Sequence, residues 1–134
     1  MTTMLEARTA ITTEFVNNYS TTDIAWPNNA FAEPTDGSAW VQFNIDFNDS
    51  IITTISQKNN EQLGNVTINI FTKRYGGTIE STTIAQEIRA IFNRLRISDI
   101  LFEAPDIREV PTPVDDNWFQ RLVRVNFSYY EFIP

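Results

Sequence analysis

Ala7, Ile11, Phe15 and Tyr19 recur at four-residue spacing, the pattern of a helix that buries one stripe, and Leu5 and Val16 widen that stripe. The polar run from Asn17 to Asp23 ends it. Ile24, Ala25 and Trp26 then read as a short extended segment stopped by Pro27, and Glu33, Pro34, Asp36 and Gly37 mark a turn-rich loop. From Ala39 to Phe47 the period changes to two. Val41, Phe43, Ile45 and Phe47 share one face while Gln42, Asn44 and Asp46 share the other, which predicts a half-buried strand.

Residues Ile51 to Ser56 are a weaker β-prone run. Gln57 to Gln62, with Lys58, Asn59, Asn60 and Glu61, has the polarity of a hairpin tip and reads as a projecting arm. A second strand follows from about Leu63 to Lys73, with Val66, Ile68 and Ile70 on one side and Asn65, Thr67 and Asn69 on the other. Gly76 and Gly77 free the backbone for a turn. Thr78, Ser81, Thr82 and Thr83 are candidate N-caps of a second helix, and Thr83 with Gln86 matches a capping box. The stripe Ile84, Ile88, Ile91, Phe92 and Leu95 defines its buried face, with Arg94 and Arg96 near the end where the macrodipole favours cations.

Ile97 to Glu103 is a short apolar run broken at Pro105. Asp106 to Val110 can extend before Pro111 and Pro113 enforce a loop. The last strand spans roughly Trp118 to Phe132, where Val123, Val125, Phe127 and Tyr129 alternate with Arg124, Asn126 and Ser128. Helix, strands, helix, strands predicts an α+β fold: a single domain over residues 1–134, with a mainly antiparallel sheet and two helices packed on one face.

Composition narrows the chemistry. With 134 residues, 42% of them hydrophobic and 20% charged, the chain suits one packed core. Cysteine and histidine are both absent, which removes disulfides, thiolate nucleophiles, the usual zinc ligands and the side chain that titrates near neutrality. A net charge of −7 works against binding a polyanion, so nucleic acid is not an expected specific ligand. Met1 to Thr13 holds no apolar run of signal-peptide length, and no stretch approaches the ~20 apolar residues of a membrane span. The expectation is a soluble protein made in the cytoplasm, without membrane or cofactor.

Carboxylate pairs are the one catalytic raw material in quantity. Asp115 with Asp116, or Asp46 with Asp49, can in principle supply an acid and a base. The first pair, however, sits in a proline-flanked loop where acids are ordinary turn formers, and Asp46 lies on a polar strand face. No Asp-x-Asp-x-Asp-Gly loop is present for a divalent cation. Gly76-Gly77 lacks the Gly-Lys-Ser/Thr of a phosphate loop and the third glycine of a dinucleotide fingerprint, so a tight connection is its expected role. Arg89, Arg94, Arg96, Arg121 and Arg124 form a patch only if the second helix lies near the last strand; solvated faces and ion pairs explain them equally. Trp26, Trp40 and Trp118 stand near strand ends, with core plugs as the default and interface anchors as the alternative. No catalytic or metal site is therefore assigned. The candidate interface residues are Lys58, Asn59, Asn60 and Glu61, on the hairpin with no evident internal duty.

Three stretches resemble a known family. They are Ile24-Ala25-Trp26-Pro27-Asn28 with Phe31, Pro34 and Gly37-Ser38-Ala39-Trp40-Val41; Tyr75-Gly76-Gly77 with Ala85, Ile88, Arg89 and Phe92; and Trp118-Phe119-Gln120 leading to Phe127-Ser128-Tyr129-Tyr130-Glu131. Their order and spacing resemble the tail terminators of siphophages. The resemblance implies a structural virion protein and not an enzyme: a ring, in that family a hexamer, which caps the head-proximal end of the tail tube, stops elongation and joins the head. It implies as partners further copies of the chain, the major tail tube protein and a head–tail connector or neck protein, with DNA passing through the lumen. Gln57 to Gln62 is less basic than the corresponding hairpin of many relatives. A neck or head-completion protein is the alternative within the class. A carboxylate-dependent hydrolase and a monomeric peptide-binding adaptor are the alternatives outside it, the first requiring a deep pocket with convergent carboxylates of perturbed pKa.

Overall fold

The computed structural model describes residues 2–54, 59–111 and 117–132; for 49–54, 59–60 and 132 it describes the backbone alone. In chain order the elements are α1 (Met4–Asn18), β1 (Asp23–Ala25), β2 (Trp40–Thr54), β3 (Asn59–Lys73), α2 (Ile79–Phe92), β4 (Arg96–Ile97), β5 (Ile100–Phe102), β6 (Asp106–Val110) and β7 (Trp118–Phe132). The expected α+β class holds. The strands form one seven-stranded sheet in the order β1-β2-β3-β7-β5-β4, and β6 pairs with β7 beyond the stretch that β5 occupies. All pairings are antiparallel except β1 with β2.

Helix α1 starts at a reciprocal cap. The Thr3 hydroxyl accepts the Glu6 N–H at 3.2 Å, and the Glu6 carboxylate accepts the Thr3 N–H at 3.3 Å. Ala7, Ile11 and Phe15 are buried as their spacing predicts. Leu5 and Val16 are not part of the stripe: they remain 73% and 50% exposed, because at 3.6 residues per turn both stand on one flank of the helix, roughly 120–140° round from Ile11.

Phe15 ties both helices to the sheet. Its ring stacks on Phe43 of β2 at 5.0 Å and on Phe92 of α2 at 6.0 Å, and meets Trp26 edge-on at 6.4 Å. Such pairs add about 0.5–1.5 kcal/mol each beyond the area they bury. Around it the sheet contributes Val41, Phe43 and Ile45, then Val66, Ile68 and Ile70, then Val123, Val125, Phe127 and Tyr129. These are the alternate positions predicted from the period of two.

The start of α2 differs from the capping box expected at Thr83 and Gln86. The helix begins at Ile79 after Thr78, whose side chain makes no capping bond. Thr83 lies a turn inside, its hydroxyl donating to the Ile79 carbonyl at 2.8 Å. The turn through Gly77, at φ 85°, sets the start instead. The helix also stops sooner than the apolar stripe suggests: Asn93 is its C-cap and Arg94 turns to φ 52°. Leu95 leaves the helix, accepts the Phe102 N–H at 2.9 Å and packs on the core from outside. Arg94 and Arg96 are thus edge residues of the sheet, and Arg89 is the cation in the last turn of α2.

A second apolar cluster lies on the other face of the sheet. Trp40 stacks on Phe71 at 4.1 Å, on Phe31 at 4.9 Å and meets Trp118 edge-on at 6.0 Å. The loop between β1 and β2, which carries Phe31, covers this end, and the Trp118 indole donates to Glu33 at 3.1 Å. Trp40 and Trp118 are therefore core plugs, and Trp26 packs half-buried on the main core.

Candidate interaction surface

Away from the tryptophan cluster, the face of the sheet opposite the helices is polar. Gln120 donates to Asn69 at 2.9 Å and Asn69 donates to Gln42 at 3.4 Å, an amide row across β7, β3 and β2. Thr67 donates to Asn65 at 3.1 Å on the same face, where Asp46 and Arg124 are exposed. Cross-strand side-chain pairs of this kind each contribute about 0.2–1 kcal/mol to the sheet.

The expected hairpin arm takes a different form. Beyond the core residue Tyr129, β2, β3 and β7 stay paired as far as Thr54, Asn59 and Phe132. Asn59 lies between Thr54 and Phe132, Asn60 between Ile52 and Glu131, and Glu61 between Ile51 and Tyr130. These polar residues are thus strand residues with neighbours on both sides, not a loop, because cross-strand pairing overrides their low β-propensity. Lys58 lies outside the described residues. Glu61 is half-buried and bonds the Tyr130 hydroxyl, and that contact with a carboxylate holds the Tyr130 phenol above its ordinary pKa.

The N-terminus closes the outer side of β7 at the same end. Thr2 donates its N–H to the Tyr130 carbonyl at 3.2 Å, and its hydroxyl bonds Asp99 in the β4–β5 turn. At the opposite end, the turn between β3 and α2 presents two large apolar side chains, Tyr75 and Ile79, 91% and 84% exposed. Tyr75 holds φ 64°, a left-handed conformation uncommon for an aromatic residue.

Asp115 and Asp116 lie outside the described residues. Asp46 pairs across from Asn65 and Asp49 from Leu63, with a register shift between them. A recess of about 510 Å³ lies between the Glu33–Gly37 loop, Lys73 and Trp118. Its Glu33 bonds the Trp118 indole, and Asp36 is held below the usual carboxylate range by hydrogen bonds from Ser38, the opposite of what a general acid needs. Among the described residues no group of three or more acidic side chains gathers to hold a metal. None of their helices is long and apolar enough to cross a membrane.

The arginines do not form one patch. Arg121 meets α2, its guanidinium donating to Ser81 at 3.3 Å and lying 5.7 Å from the Phe119 ring centroid. Arg124 is exposed on the polar face of the same strand, opposite Asp106, and Arg94 and Arg96 stand at the β4 edge. Missed in the sequence was Gly64, where β3 passes so close to β2 that a Cβ would come within 2.5 Å of the Asp46 carbonyl. An isolated glycine inside an alternating strand is the signal for such an approach.

No protein with a curated description matches the chain. A solved structure shares the fold at a TM-score of 0.67 and 14% identity, over 95% of this chain and 97% of the other. The family model described as phage tail terminator protein matches residues 3–127. The chain belongs to the phage tail terminator family.

Proposed function

We propose that copies of this chain close into a ring on the head-proximal end of a finished tail tube, stop its elongation and present a surface for joining the head. Family membership already makes the chain a structural phage protein and a virion component, and the match over residues 3–127 is the observation that carries the proposal. The ring is a hexamer, the state the family resemblance implies, and its partners are further copies, the major tail tube protein and a head-side connector or neck protein.

A closed ring needs a heterologous contact, one surface meeting a different one on the neighbour, and closure prevents open-ended growth. The net charge of −7 suits a lumen through which DNA passes without being held, since acidic walls repel phosphate. Lys58, Asn59, Asn60 and Glu61, where the β2–β3 hairpin ends, are assigned to contact with a neighbour or the tube. Shortening the hairpin there, with folding checked by circular dichroism, should reduce capping; normal assembly would remove that assignment.

The test of the main proposal is negative-stain microscopy of purified protein mixed with tubes assembled from the cognate tube protein. Capped ends carrying rings of one diameter, with arrested elongation, are expected. Tubes that keep growing with bare ends would overturn it in favour of a neck or head-completion role.

A further inference from the structure

The two edges of the sheet are unlike. On one side β1 covers only Trp40 to Gln42 of β2, and the chain then leaves the sheet at Trp26 and Pro27. From Phe43 to Thr54 the outer backbone of β2 has no strand partner among the described residues. On the other side the edge is divided between β6, which pairs with β7 beyond β5, and β4, only Arg96 and Ile97 long. An unpaired strand of the first kind is a template for another strand, whereas a very short, charged edge of the second kind resists indiscriminate pairing.

Charge and register make the two edges complementary. Residues 43–54 contain Asp46 and Asp49 and no cation, while residues 93–97 contain Arg94 and Arg96 and no acid. One row of the sheet connects them. Asp46 pairs with Asn65, Asn65 with Asn126, the Asn126 carbonyl accepts the Glu103 N–H at 2.9 Å, and the Glu103 carbonyl accepts the Arg94 N–H at 3.3 Å. The row therefore begins at an exposed carboxylate and ends at an exposed guanidinium.

Strand direction is also compatible with a ring. Each pairing from β2 through β3, β7 and β5 to β4 is antiparallel, so β2 and β4 run the same way. Rotation about an axis lying along the strands preserves that sense. The β4 edge of one copy would then meet β2 of the next in the parallel orientation that β1 already uses on β2.

We infer that the contact between copies is a continuation of the sheet, the β2 edge of one chain meeting the β4 edge of the next, with Asp46 facing Arg94 across the boundary. This rests on the ring reading above and names the surface that makes the ring. Strand addition supplies directional hydrogen bonds, and the facing charges select this register over others.

The full chain is compared as wild type, Asp46→Arg, Arg94→Asp and the double reversal, by native mass in solution and ring counting on tube ends. Aspartate tolerates the positive φ at position 94. Like charges facing each other cost enough to lower ring formation on the order of tenfold or more. The single reversals should each show that loss and the double reversal should recover rings. As the chain has no cysteine, Asp46→Cys with Arg94→Cys places a thiol at each of the two facing positions and gives a second reading: oxidation should produce a covalent ladder ending at the ring size. Wild-type rings with undiminished single variants, or no ladder in a ring-forming double-cysteine preparation, would overturn the edge contact and leave the ring intact. Wild-type protein that forms rings neither in solution nor on tubes would overturn the ring reading and this inference with it.

Discussion

The ring of Phe127 lies against Gly64, its Cζ 2.6 Å from where a Cβ on that glycine would stand. Phe47, Gly64 and Phe127 share one row of the sheet, and the two phenyl rings meet edge to face at 5.8 Å across the glycine. The Asp46 carbonyl closes the same space from the side of β2, at 2.5 Å from that Cβ position.

Gly64→Ala therefore has to displace either an aromatic ring of the core or the backbone of a paired strand. Overpacking of this kind costs about 1–3 kcal/mol. The urea midpoint should fall with little change in slope, since the surface exposed on unfolding is unaltered. An unchanged midpoint would mean that the strands part freely at this row.

The cap of α1 allows a sharper comparison. Thr3→Ala removes the acceptor of the Glu6 N–H and should cost about 0.5–2 kcal/mol. Glu6→Gln keeps an acceptor for the Thr3 N–H and should cost less, whereas Thr83→Ala, inside α2, should be close to neutral. Thermal denaturation of the three variants checks the order. A larger loss at Thr83 than at Thr3 would contradict the observed caps.

These caps illustrate what the sequence made legible. The spacing of Ala7, Ile11 and Phe15 placed the first helix, and strict alternation placed β7 and the core faces of β2 and β3. The stripe from Ile84 to Leu95 shows the second helix but not its start, because Thr78, Ser81, Thr82 and Thr83 all have capping chemistry and the Gly77 turn decides among them. Asn59 to Gln62 looked like a loop because local polarity outweighs propensity in a short window, while pairing on both sides is a long-range effect. The parallel β1 and the row joining Asp46 to Arg94 depend on which strands become neighbours, and no local pattern encodes that. The second aromatic cluster did leave a trace. Trp40 beside Val41 and Phe71 beside Ile70 put large side chains on successive positions, the sign of a sheet covered on both faces at that end.

Alkaline pH should weaken the fold between about pH 10 and 12. Burial pushes the Tyr19 and Tyr129 phenols up to about 12, from an ordinary value of 10.0. The unfolded chain then loses these protons before the folded one does, so over that window it binds fewer protons and stability falls as pH rises. Below pH 10 the contribution is fully present. The Tyr129 hydroxyl is buried with no hydrogen-bond partner among the described residues, so Tyr129→Phe should change stability at pH 7 by less than about 1 kcal/mol. It should also flatten part of the alkaline loss. Denaturant midpoints measured from pH 8 to 12 check both, and an unaltered alkaline slope in Tyr129→Phe would show that this phenol does not titrate with unfolding.

Tyr75 offers a way to separate folding from assembly. An aromatic side chain at φ 64° carries backbone strain of order 1–3 kcal/mol, and at 91% exposure its ring recovers little of that by burial. The guanidinium of Arg74 over the ring, 5.0 Å from its centroid, adds about 0.5–1 kcal/mol at such an exposed site. Asparagine accepts the left-handed region more readily than tyrosine. Tyr75→Asn should therefore leave the melting temperature unchanged or raise it slightly. If Tyr75 and its exposed neighbour Ile79 anchor the chain to a neighbour or to the tube, the same variant should cap tubes less well, because a buried aromatic is among the strongest contributors to an interface. Loss of capping at undiminished stability would mark the β3–α2 turn as a contact surface. Full capping would restrict that turn to connecting strand and helix, and a marked fall in melting temperature would contradict the strain argument itself.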